Sequence, residues 1–192
     1  MHDITQFDAA PALIEHITRE YGSITSLVNN AGIHVKKPVL DTTIDDFQKV
    51  LNTHILGAHA LCRATVPPMI ERKHGNVIFM ASMASLFSIP QVVAYAAAKS
   101  AMIGMIRTMA TELSPHNVRV NAIAPGWIET AMSRKALDGD PARKNKIISR
   151  TPMARLGEPS DVGWAAVYLT SAAAKFVTGS ILPIDGGVSM GF

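Results

Sequence analysis

Tyr95 and Lys99 stand four residues apart in a stretch that reads as a helix. That spacing puts both side chains on one face, about one turn apart. A free tyrosine has a pKa of about 10, too high for a base at neutral pH. A nearby ammonium favours the phenolate and lowers that value. A tyrosine tuned in this way moves a proton to or from a reacting oxygen. Any helix can place such a pair, so alone it says little. Ser82 adds to it. It falls at the end of a predicted strand, 13 residues before Tyr95. Strand ends are where ligands bind in open α/β sheets. A hydroxyl there both donates to and accepts from a substrate oxygen. Asn29-Asn30-Ala31-Gly32 also follows a strand directly. Small residues at such a point let backbone approach a ligand, although Asn and Gly also favour ordinary turns.

The elements that must position these groups alternate along the chain. Residues 9–21 read as a helix with Leu13, Ile14 and Ile17 on one face. Ile24 to Asn29 is a short buried-strand candidate. A long helical stretch runs from Thr43 to about Glu71, with Asp45 and Asp46 in its first turn and a kink expected at Pro67-Pro68. Asn76 to Ala81 is the next strand, and Gln91 to Leu113 a long Ala- and Met-rich helix. Val118 to Ala124 alternates like a strand. Residues 126–150 form a lobe, Pro159 opens a helix to about Ser171, and Ile181 to Ile184 is a last strand. Helix and strand alternation predicts an α/β fold with a parallel, Rossmann-like doubly wound sheet. Apolar strands agree, because such sheets are covered on both faces.

Composition bounds the function. The 192 residues are 48% hydrophobic and 17% charged, which is a globular balance. A single domain over 1–192 is expected, with 126–150 as its substrate lobe. A net charge of +3 is too mild to argue for nucleic acid. Cys62 is the only cysteine, so there is no internal disulfide and no multi-cysteine metal site. His54 and His59 are off one helical face and no His-Glu-x-x-His occurs, so no metal is expected. No Gly-x-Ser-x-Gly elbow supports a hydrolase. Residues 75–98 carry no charge and are long enough for a membrane span. Their serines, Asn76, Pro90 and Gln91 fit a strand, loop and helix better. No signal peptide is visible. A cytoplasmic protein without membrane or nucleic-acid partners is the expectation.

Taken together, the motifs resemble the classical short-chain dehydrogenase/reductase family. They are Asn29-Asn30-Ala31-Gly32, Ser82, Tyr95-x-x-x-Lys99, Asn121-Ala122-Ile123-Ala124-Pro125-Gly126 with Thr130, Arg155-x-Gly157-x-Pro159, and Phe176-x-x-Gly179 through Asp185-Gly186-Gly187. They occur in family order over essentially the whole chain. The resemblance implies hydride transfer between NAD or NADP and a secondary alcohol or ketone. It implies Tyr95 as general acid/base, Lys99 lowering its pKa and holding the nicotinamide ribose, and Ser82 holding the substrate oxygen. Asn29, Ala31 and Gly32 would line the cofactor cleft. Pro125, Gly126, Ile128 and Thr130 would meet the nicotinamide end, and Asp3 the adenine. A homo-oligomer, dimer or tetramer, is implied as well.

Two departures from the family pattern stand out. No Thr-Gly-x-x-x-Gly-x-Gly turn, which the family places over the pyrophosphate, occurs in the sequence. Asp3-Ile4-Thr5 looks like a segment that follows the family's third strand. The resemblance therefore implies an N-terminally truncated chain, lacking on the order of 60 residues at about 30 per βαβ unit. It leaves Ile24–Asn29 as a bare sheet edge, prone to foreign pairing, and it admits a non-catalytic fragment or interaction subunit as the alternative. The second departure is His54, in His54-Ile55-Leu56-Gly57, where the family has a helical Asn that joins the Tyr–Lys pair through water. His54 could hold the same water or be a packed helix histidine.

Substrate would touch two regions. The loop after Ser82 is apolar at Leu86, Phe87, Ile89 and Val92. In the lobe, Arg134, Lys135, Arg143, Lys144, Lys146 and Arg150 outnumber Glu129, Asp138 and Asp140. A basic lid would attract an anionic substrate such as a sugar acid, and a solvated helix face accounts for the same charges. Within the family the chain looks most like gluconate 5-dehydrogenase-like and 3-oxoacyl-carrier-protein reductase-like members, which these residues do not separate.

Overall fold

The computed structural model describes residues 2–130, 133, 134, 137 and 139–190. Lys135 and Asp138 of the basic lobe lie outside the described residues. Among the described residues six main helices accompany four strands: α1 Ala10–Tyr21, β1 Ser26–Asn29, α2 Ile44–Leu51, α3 Ala58–Glu71, β2 Gly75–Met80, α4 Val93–Leu113, β3 Val118–Pro125, α5 Pro141–Ser149, α6 Pro159–Thr170 and β4 Ile181–Ile184. The strands form one sheet in the order β1-β2-β3-β4, every pair parallel.

Burial on both faces explains the apolar strands. Val77 and Phe79 of β2 and Val118, Val120, Ala122 and Ala124 of β3 pack with α3 and α4, through Cys62, Val66, Met69, Met102 and Ile106. Ile78 and Ile123 pack on the opposite face with Ala165 and Leu169 of α6. The alternation expected in Val118–Ala124 is therefore absent: those residues are nearly all buried, because each face meets a helix. Asn121 is fully buried there, and its amide is matched by the Val177 carbonyl and the Ser180 N–H.

The long helix expected from Thr43 to Glu71 is three pieces. Thr43 caps α2 in a reciprocal capping box with Asp46. Lys37 lies 2.6 Å from the Asp46 carboxylate, which is held down at about 2 by that contact and by the Thr43 N–H. A π-helical turn, Asn52–Gly57, then separates α2 from α3. The prolines fall in the last turns of α3. The interruption is thus at the π-turn and not at Pro67-Pro68. Such single turns are frequent at functional sites. Gly57 is needed at its end, since a Cβ there would lie 2.8 Å from the Ile4 carbonyl oxygen.

The parallel arrangement brings the segments after β1, β2 and β3 to one end of the sheet. The segments after β1 and β2 begin at Asn30 and Ala81, and the one after β3 at Gly126. β1 is an edge of the sheet, with Val28 exposed. Among the described residues no helix is long and apolar enough to cross a membrane.

Candidate active site

Ser82 follows β2 in extended backbone and opens a short 3-10 turn, Met83–Ser85. Its hydroxyl accepts from the Ala84 N–H at 3.1 Å. Tyr95 and Lys99 rise from the first two turns of α4. Small residues, Ala94 and Ala98, let that helix sit close to the core. Lys99 is buried, its ammonium donates to the Met80 carbonyl at the end of β2, and Nζ stands 5.4 Å from the centre of the Tyr95 ring.

Ser82, Tyr95, Lys99, His54, Gly32, Pro125 and Gly126 border one cavity of about 240 Å³. A second cavity, about 590 Å³, is bordered by Asp3, Ile4, Ala31 and Gly32 with residues of α2 and the π-turn. Gly32 and Ile33 border both. The two cavities adjoin at these residues, and the smaller lies at the C-terminal ends of β2 and β3, the usual ligand position in such sheets. Asn29 is elsewhere: its buried amide Nδ2 lies 3.6 Å from the Cys62 sulfur. Ile128 and Thr130 border neither cavity. Ile128 packs under Gly157, and the Thr130 N–H donates to Ser133.

Electrostatics at the site are dominated by burial. It pushes the Tyr95 phenol up, and hydrogen bonding with Ser82 opposes this in part. It lowers Lys99 to about 8. The pull of Lys99 on the phenol, expected from the sequence, does not outweigh burial here. His54 is lowered to about 4 by burial and by the Lys99 charge, so it is neutral. Its Nε2 lies 2.8 Å from the Ile33 carbonyl oxygen, while Nδ1 is buried without a partner. The imidazole meets the Tyr95 ring edge-on, centroids 5.4 Å apart.

His34 was not singled out from the sequence, yet it borders the same cavity with its ring 5.1 Å from that of Tyr95. Its signal was position, two residues after Gly32. Tyr95 is thus bracketed by two histidines. Among the described residues no group of three metal-ligating side chains occurs.

A family model described as enoyl-(acyl carrier protein) reductase matches residues 1–189. A 3-oxoacyl-acyl-carrier-protein reductase of Thermotoga maritima is 36% identical over 97% of this chain and 74% of its own. A 2-dehydro-3-deoxy-D-gluconate 5-dehydrogenase of Formosa agariphila is 37% identical, over 97% of this chain and 70% of its own. Among solved structures, a gluconate 5-dehydrogenase of Burkholderia cenocepacia, in complex with NADP and tartrate, superposes with a TM-score of 0.95. It is 31% identical, and the match covers 100% of this chain and 74% of that one.

Proposed function

The chain belongs to the short-chain dehydrogenase/reductase family, and from that premise we propose that it interconverts a ketone and a secondary alcohol with NAD or NADP. The observation that carries this reading is the convergence of Ser82, Tyr95 and Lys99 on one cavity. The two adjoining cavities are where the cofactor would lie. Lys99, Gly32, Pro125 and Gly126 would hold its nicotinamide half, and Asp3 and Ala31 its adenine half.

Held there, a reduced nicotinamide would supply the hydride chemistry at the carbonyl carbon. Tyr95 supplies the proton to the carbonyl oxygen. Burial keeps its phenol protonated, which suits a proton donor. Ser82 holds that oxygen by a hydrogen bond. Lys99 would hold the ribose and carry positive charge beside the phenolate left behind. His54 positions Tyr95 through the ring contact and anchors the Ile33 segment through Nε2. A sugar acid is the substrate class that the basic lobe and the gluconate-type relatives favour. A homo-oligomer is part of this reading.

The test is NADPH- or NADH-dependent reduction of 5-keto-D-gluconate and of a 3-oxoacyl thioester, followed by loss of reduced-nicotinamide absorbance. Tyr95→Phe should lower kcat by about 10²–10⁴-fold. Turnover that survives this substitution contradicts the reading.

A further inference from the structure

The Tyr95 ring is walled by two imidazoles of unequal exposure. His54, buried in the π-turn, meets it edge-on. His34, exposed in the segment after β1, meets it with centroids 5.1 Å apart and planes tilted by 54°. Tilted and edge-on pairs at such separations are the arrangements that aromatic rings favour. A tyrosine that must set its hydroxyl against a reacting oxygen depends on this kind of restraint, because a displacement of about 1 Å can cost two orders of magnitude in rate.

The backbone that carries His34 is fixed at both ends. Ile33 and Val35 pack with Val50 of α2 and with Ala94 and Ala98 of α4. His34, between them in sequence, sends its ring to Tyr95. On one side, His54 Nε2 sits against both polar backbone atoms of Ile33, 2.8 Å from the carbonyl oxygen and 3.1 Å from the nitrogen. On the other, the Lys37 N–H donates to the Gln91 carbonyl at 2.9 Å, four residues before Tyr95. Residues 33–37 are thus tied to the π-turn and to the approach to α4. Because that backbone is already ordered, placing the His34 ring costs only side-chain entropy.

We propose that His34 is a positioning residue: its ring closes the solvent side of Tyr95 and, with His54, holds the phenol in the orientation that delivers its proton. The assignment rests on Tyr95 as the proton donor of the proposed reaction. What it requires at residue 34 is a flat ring, not a hydrogen-bonding group. His34 also borders the cavity of Ser82, Tyr95 and Lys99. It therefore limits the water that reaches the phenol and contributes to the burial that keeps Tyr95 protonated.

Three variants separate the ring from its polar atoms. His34→Ala removes both, His34→Phe keeps a ring, and His34→Gln keeps hydrogen-bonding groups. In the reduction of 5-keto-D-gluconate, His34→Ala and His34→Gln should lower kcat by about three- to tenfold, the worth of one aromatic contact, with KM unchanged. His34→Phe should restore kcat. A kcat untouched in His34→Ala, a loss carried by KM, rescue by His34→Gln, or failure of His34→Phe to rescue overturns the proposal.

A second readout needs no turnover. The sequence has three tyrosines, and Tyr21 and Tyr168 are exposed. In a chain carrying isotope-labelled tyrosine, with signals assigned by Tyr95→Phe, NMR follows the Tyr95 phenol through its ionisation. Water reaching the ring favours the phenolate. His34→Ala should therefore lower the Tyr95 pKa towards the ordinary tyrosine value, and His34→Phe should hold it. Both imidazoles are neutral in that alkaline range, and Lys99 and Ser82 are common to every variant. An unmoved pKa in His34→Ala overturns the proposal. The two readings fail separately. A chain without turnover whose phenol pKa still follows the ring at residue 34 sinks the proposed function alone, and turnover indifferent to that ring sinks the role of His34 alone.

Discussion

A Cβ placed on residue 32 would stand 2.5 Å from Cε1 of His54. Gly32 is a glycine because the imidazole fills that space, and its backbone φ is not in the left-handed region. His54 in turn is held by the Ile33 carbonyl. Glycine and histidine thus form one packing unit under the cleft. Gly32→Ala should destabilise the chain by about 1–3 kcal/mol through overpacking. Combined with His54→Ala it should cost less than the two single changes added, because the methyl enters the vacated volume. Urea unfolding of the four proteins measures this. Strict additivity would show that the two residues do not share the space.

Acid should reveal His54. Its folded value of about 4 lies below the ordinary 6.5. Between those values the unfolded chain binds the extra proton, so stability falls as pH drops from 6.5 to 4. The loss amounts to up to about 3 kcal/mol at 1.4 kcal/mol per unit. His34 adds in the same direction. His54→Asn should flatten the fall, read as melting temperature against pH. An unchanged slope would remove His54 from the account.

Lys99 acts at the alkaline side. Its value is lowered to about 8 from 10.5, so the folded chain releases its proton first and stability rises with pH from 8 towards 10. Above 10 the raised Tyr95 works against the rise. Lys99→Met should abolish the rise while removing activity. A variant that keeps the alkaline rise would locate it elsewhere.

Turnover separates the role of His54 from that of Tyr95. His54→Asn should keep kcat within about tenfold, a change of roughly 1.4 kcal/mol in the barrier. A larger fall would give the histidine a specific part in the reaction.

The open edge of the sheet predicts association. Parallel strands are usually covered, and β1 presents its unpaired side with Val28 exposed. The chain on its own should show concentration-dependent self-association in light scattering. Val28→Lys should reduce it. A monodisperse, cooperatively melting parent would contradict this.

Elements and motifs were readable to different depths. The strands were found within a few residues, because Ile78 and Val77 serve opposite helices and leave an apolar run. The Tyr95–Lys99 pair and Ser82 were readable from helical spacing and strand ends. The π-turn at Asn52–Gly57 was not, since no residue pattern distinguishes it from α-helix and the prolines drew attention downstream. In the sequence Gly32 reads as room for a ligand, and only the fold shows His54 in that room. The contact of His34 with Tyr95 joins segments 61 residues apart, which periodicity cannot connect. The direction of the Tyr95 shift depends on burial, which spacing does not reveal.

A nicotinamide cofactor would lie across the two adjoining cavities that Asp3 and Tyr95 border. Calorimetric titration of the folded 192-residue chain with NADPH and NADH tests it most directly. Saturable binding of one of them in the micromolar range, weakened by Lys99→Met, is the result the account predicts. A cooperatively folded chain that binds neither cofactor would contradict it and leave the interaction subunit as the reading.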